Sequence, residues 1–262
     1  MTAVESSTTV STAERYQTLT PYIMHDRAPE LAEFLKEAFG AKELSRSIGS
    51  AGGFHIEMRI GSSLLMLGGG GKAKIDKPTP TSLHLYLPDV DAVYHRAIAA
   101  GATSIEEPVD QSYGDREAGV RDLAGNNWFI ATRKGATHIP EGLREVTPFL
   151  HPKGADEMIE FLRRAFGAEE TAVYRSPEGT IVHGTIKIGD SSLEMGEAHG
   201  QWQPMPSAFH LIVGDADSVY QRALEAGATS MAAPANQPYG DRMAWVNDPF
   251  GNTWFIASPI SK

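Results

Sequence analysis

The sequence predicts an α+β fold built as two tandem modules, each of two strand–helix–strand–strand–strand (βαβββ) units. Three observations carry the prediction. The stretch "RDLAGNNWFIA" (Arg121 to Ala131) returns as "NDPFGNTWFIA" (Asn247 to Ala257). Four segments space their apolar residues as short amphipathic helices, each closed by a glycine. Stretches of alternating apolar and polar residues follow them, as half-buried strands require.

Taken in chain order, "MTAVESSTTVSTAERYQ" is polar and Ser/Thr-rich, with no basic start and no apolar run. It reads as a disordered leader over 1–15 rather than a secretory signal. A strand at "TPYIM" leads into a helix with Leu31, Phe34, Leu35 and Ala38 on one face, stopped by Gly40. "FHIEMRI" (Phe54 to Ile60) alternates as a half-buried antiparallel strand. "GGGGKA" (Gly68 to Ala73) lacks the spacing and the hydroxyl residue of a phosphate loop, so it reads as the joint between units. Val90, Val93, Tyr94, Ala97 and Ile98 mark the second helix, ending before Gly101. Module one thus spans 16–133, and "KGATHIPEG" lies in a Gly/Pro-bearing linker over 134–144.

Module two, 145–259, repeats the plan. Its helices carry Met158, Phe161, Leu162 and Ala165 before Gly167, then Ala216, Val219, Tyr220, Ala223 and Leu224 before Gly227. Apolar stripes ending in glycine imply left-handed caps. "VHGTIKI" (Val182 to Ile188) matches the alternating strand of module one.

Composition narrows the function. The chain has 262 residues, room for two cores, and no apolar run near the ~20 residues of a membrane helix. A net charge of −10 argues against nucleic acid and anionic membrane as partners. With no cysteine, disulfides and thiol chemistry are excluded, which fits a cytoplasmic location.

The order of these elements, with "YGDR…D..GN.W" closing each module, resembles the vicinal-oxygen-chelate superfamily of glyoxalase I, bleomycin- and fosfomycin-resistance proteins and extradiol dioxygenases. "TPY/TPF", "AFGA" and "IGSSLLM/IGDSSLE" look most like its PhnB-like branch. The resemblance covers nearly all of the chain after the leader. It implies that each module curls a mixed sheet into a cup with helices outside, and that the modules pair within the chain, a further dimer being left open. Metal-dependent members hold an ion with His, Gln or Glu at four strand positions. Here those positions fall on Thr20, Met66, Ser82 and Phe129, and on Thr147, Glu194, Ala208 and Phe255. A catalytic divalent ion needs about three protein ligands, so no metal or other cofactor is expected.

Parity along the strands selects the remaining candidates, since residues two apart share a face. In module two, His151, His183, Glu194, His210, Trp245 and Phe255 are expected to line one cup and contact a small organic ligand. In module one the weaker set is Tyr22, His55, His84 and Phe129. Phe129 and Phe255 are either core alone or core that also touches ligand. The working cup is expected in module two, where Glu194 between imidazoles would raise a histidine pKa. Small-molecule binding is the first reading. The alternative is a lyase, isomerase or dioxygenase using a relocated metal or a His base, and whether the chain is an enzyme stays open. Arg116 and Arg242 of "YGDR" are expected to brace turns through Asp122 and Asp248, with anion binding the alternative.

Overall fold

In the computed structural model, residues 16–49, 52–72, 78–135 and 137–260 are described. The expected leader over 1–15 lies outside them.

The first unit runs β1 (Leu19–Met24), α1 (Ala28–Phe39), β2 (Lys42–Ile48), β3 (Phe54–Ile60) and β4 (Ser63–Gly69). The second runs β5 (Ser82–Tyr86), α2 (Val90–Ala99), β6 (Thr103–Asp110), β7 (Asp115–Arg121) and β8 (Asn127–Arg133). Module two repeats this with β9 (Val146–Leu150), α3 (Ala155–Phe166), β10 (Glu169–Arg175), β11 (Ile181–Ile188) and β12 (Ser191–Met195). Its last unit is β13 (Ala208–Ile212), α4 (Ala216–Glu225), β14 (Thr229–Asn236), β15 (Asp241–Asn247) and β16 (Thr253–Pro259).

Local chemistry sets the helix ends. Pro29 opens α1, and the Asp89 and Asp215 carboxylates accept backbone N–H groups at the starts of α2 and α4. Gly40 and Gly167 take the expected left-handed caps at φ 68° and 69°. At α2 and α4 the cap residue is instead an alanine, Ala100 or Ala226, with φ −78°, and the glycine turns one position later.

The strands form two mixed eight-stranded sheets, ordered β14-β15-β16-β13-β1-β4-β3-β2 and β10-β11-β12-β9-β5-β8-β7-β6. The α+β class and the four βαβββ units are as the sequence predicts, but the units pair differently. Unit one shares its sheet with unit four, and unit two with unit three. The joints are antiparallel pairs, Thr20 opposite His210 and His84 opposite Thr147. The cores follow the modules instead. Leu31, Leu35, Leu83, Leu85 and Trp128 pack in one cluster, Leu162, Phe209, Leu211 and Trp254 in the other, with α1 against α2 and α3 against α4. Each core also takes a first-strand residue from the other module, Val146 into one and Leu19 into the other. Burying each such Leu or Phe contributes about 1.5–3 kcal/mol.

The repeated turn has a structural explanation. Asp122 accepts from the backbone N–H of Ala124 and Asn126, from Asn126 Nδ2, and from Trp128 Nε1 at 2.8 Å. Asp248 makes the same four bonds with Phe250, Asn252 and Trp254. Asn126 and Asn252 then accept the N–H of Thr81 and Ser207, which aligns the start of the neighbouring strand. The turn is written twice because it orients a fully buried tryptophan in each core.

These aspartates therefore do not brace Arg116 and Arg242. Arg116 forks onto Asp91 at 2.7 Å and also reaches Asp110, while Arg242 grips Asp217 and Asn236. The acidic first turn of each helix outcompetes the buried turn aspartates, whose oxygens are already taken. Both guanidinium groups are occupied. Among the described residues no helix is long and apolar enough to cross a membrane.

Candidate functional site

Because the units pair across modules, each cup is composite. The expected grouping of His151, His183, Glu194 and His210 does not form. His210 lies on the other sheet, beside Phe255 and opposite Thr20. Its place near Glu194 is held by His84 of module one. The physical reason is the antiparallel joint: β13 hydrogen-bonds to β1, and β9 to β5.

Cup one joins β1–β4 to β13–β16 and holds Tyr22, His55, His210, Trp245 and Phe255. The Tyr22 hydroxyl lies 3.2 Å from His55 Nδ1, and its ring lies 5.2 Å from Phe255. Trp245 meets Phe255 edge-on at 5.3 Å. Gly68 is needed here, since a Cβ would come within 2.6 Å of the Tyr22 hydroxyl. Glu57 on β3 accepts from Tyr16, and His55 Nε2 lies 3.8 Å from it. Burial pushes the Tyr22 phenol up to about 12. Burial, with the His55 charge adding, lowers His210 to about 4, and its Nδ1 has no hydrogen-bond partner among the described residues.

Cup two joins β5–β8 to β9–β12 and holds His84, Phe129, His151, His183 and Glu194. The Glu194 side chain is almost fully buried, with one oxygen 3.0 Å from His84 Nδ1 and the other 3.4 Å from His183 Nε2. Burial alone would raise Glu194; the His84 charge and the two imidazole contacts overcome it and bring the carboxyl down to about 2. His84 answers in the opposite direction. Burial pushes it down, but Glu194 beside it and Glu117 3.8 Å from Nε2 outweigh that, and its pKa is raised. Nε2 of His84 is buried without a hydrogen-bond partner among the described residues.

Aromatic rings cover the rest of cup two. Phe129 and Phe149 meet edge-on at 5.6 Å, and Phe149 lies 4.7 Å from His151. Trp202, on the segment between β12 and β13, stacks on His151 at 5.7 Å and 13° and meets Phe129 at 5.2 Å. Burial, followed by the charge on His199, lowers His151 to about 4, so this stack is uncharged at neutral pH. Next to it lies a cavity of about 140 Å³ lined by Ser82, Arg121, Asn127, His151, Trp202 and Met205 among others.

Strand parity reaches Glu57 and Glu117, which share faces with His55 and Gly119, but the sequence reading passes over them. It carries no signal for Trp202, which has no repeat partner among the described strands.

With this geometry in view, the chain can be compared with known proteins. The profile of the Glyoxalase/Bleomycin resistance protein/Dioxygenase superfamily matches residues 150–256. An uncharacterized protein of Mycobacterium bovis is 32% identical over 128 residues, 45% of this chain and 84% of that protein. The chain belongs to the glyoxalase/bleomycin resistance protein/dioxygenase superfamily. An uncharacterized Mycobacterium tuberculosis protein, of which 75% is covered, matches with the same identity. Glyoxalase I from Zea mays superposes with a TM-score of 0.69 over 92% of each chain at 14% identity, a likeness of fold.

The eight positions expected from the resemblance to be metal-ligand places divide between the cups, with Thr20, Met66, Ala208 and Phe255 in cup one and Thr147, Glu194, Ser82 and Phe129 in cup two. The Glu194 oxygens already face two imidazoles. Among the described residues, no group of three or more His, Asp or Glu side chains is arranged to hold a metal ion.

Proposed function

We propose that this chain is a small-molecule-binding member of the superfamily, working without a resident metal, and that its ligand enters cup two. The carrying observation is the enclosure by Trp202, stacked on neutral His151 above Phe129, beside a cavity of about 140 Å³. In volume the space is close to the about 150 Å³ that accepts benzene, and its lining mixes the Trp202 and Met205 side chains with polar groups. Aromatic faces give such a ligand large contact area, and the few polar groups fix its orientation. The donor set supports the metal-free part, because hydroxyl and phenyl groups stand at three of the four superfamily positions in this cup. The cysteine-free, acidic chain supports a cytoplasmic protein with no nucleic-acid partner. Titration of single-ring compounds, followed by tryptophan emission and calorimetry, tests the reading. Binding that weakens at least tenfold in Trp202→Ala supports it; ring compounds that bind unaffected by Trp202→Ala, or not at all, overturn it.

A second reading, enzymatic proton transfer, is favoured by one observation. Glu194 holds His84 by Nδ1 and leaves the buried Nε2 without a hydrogen-bond partner. Glu194 and Glu117 raise the His84 pKa, which favours its protonated form, the form that donates a proton rather than taking one. Turnover that vanishes in His84→Gln while ligand affinity persists would select this reading over binding alone.

A further inference from the structure

Resting on the assignment of ligand to cup two, we infer that this cup selects a planar organic anion, a ring carboxylate whose charged end is held at Arg121. Arg121 lines the cavity, and its Nε donates to Asn127 Oδ1 at 3.0 Å. Its two terminal nitrogens make no hydrogen bond or ion pair with any described residue.

Two further donors sit beside it with weak acceptors. Ser82 Oγ faces the Met205 sulfur at 3.4 Å, and Asn127 Nδ2 faces the same sulfur at 3.1 Å. A thioether accepts poorly, so a carboxylate oxygen would take these hydrogen bonds over with a gain. The bidentate fork of a guanidinium matches the carboxylate, and the ring then lies under Trp202 and His151.

The other cup provides an internal control. At the places of Ser82, Arg121, Asn127 and His151 the repeat puts Ala208, Asn247, Thr253 and Met24. One fold therefore carries two cups, and at these four places only this one has a cation. Acidic neighbours do not oppose an anion here. Glu117 is four residues down the same strand from Arg121, about 13 Å away, and Glu117 and Glu194 both face His84, neither of them lining the cavity.

The experiment is calorimetric titration of the full chain with benzoate, benzamide and benzylammonium, three ligands of similar shape and different charge. Benzoate is expected to bind at least tenfold tighter than benzamide and benzylammonium weakest. Arg121→Gln should remove the benzoate advantage while leaving benzamide unchanged, and Arg121→Lys should restore part of it. Raised salt should weaken benzoate alone. If benzamide or benzylammonium binds as tightly as benzoate, or if Arg121→Gln leaves benzoate affinity intact, the anion inference falls while ring binding in cup two stands. If none of the three binds, both fall together.

Discussion

Replacing Glu194 by Gln removes one charge from the most enclosed carboxylate among the described residues while keeping the side chain's shape. The fall of its pKa from the ordinary 4.5 to about 2 corresponds to about 3 kcal/mol of preference for the ionised form in the folded state. That figure lies at the low end of the ~3–5 kcal/mol for breaking one partner of a buried pair. The pH dependence follows from two shifts of opposite sign. Glu194 is depressed, so its contribution is complete above pH 4.5 and is lost as pH falls through about 2. His84 is raised, so its contribution is complete below pH 6.5 and is lost as pH rises through its higher folded value. The pair therefore stabilises most between pH 4.5 and 6.5. Urea unfolding of wild type and Glu194→Gln at pH 6 should differ by about 3 kcal/mol, and the difference should shrink at pH 9. The His84 imidazole, followed by NMR, should titrate at lower pH in the variant. A loss below about 1 kcal/mol at pH 6, or one that is the same at pH 9, would refute the assignment of a charged His84–Glu194 pair.

Other outcomes are expected from the same geometry. Asp248→Ala strands the Trp254 indole N–H and three further donors, and should cost about 2–4 kcal/mol in denaturant unfolding. His210 is held well below its ordinary pKa, so wild type should lose stability as pH falls from 6.5 toward 4; His210→Phe should flatten that slope in thermal scans. Proteolytic nicking between Lys134 and Gly142 should leave one particle in gel filtration, because each sheet contains strands from both sides of the cut. Separation of the halves without denaturant would contradict the joints β1–β13 and β5–β9.

How much of this was legible in the sequence depends on how local each signal was. The helices were legible because Leu31, Phe34 and Leu35, like Met158, Phe161 and Leu162, show their spacing within one turn or two. Strand parity is local too: His183 faces Glu194 and Tyr22 faces His55, whereas Trp245 and Phe255, expected beside Glu194, stand in the other cup with Tyr22. What parity does not encode is which unit lies next to which. Thr20–His210 and Thr20–His84 are equally compatible with the sequence, since units two and four are near copies. Parity within module two places His210 beside Glu194, whereas the β5–β9 joint brings His84 there. Trp202 was missed for a different reason, because a loop residue has no periodicity to place it. Arg121 sat in plain view within the repeated turn, but its significance lies in contrast with Asn247, at the same place in the copy.

The exchanged arrangement of units has a consequence for inheritance. In a two-fold dimer of identical chains, every substitution appears in both concavities at once. Joining the copies in one polypeptide removes that constraint. A glutamate could enter at 194 while methionine stayed at 66, and a tryptophan at 245 while glycine stayed at 119. Yet neither copy can be discarded, because each concavity borrows half its wall from the other. Fusion here permits divergence and forbids loss.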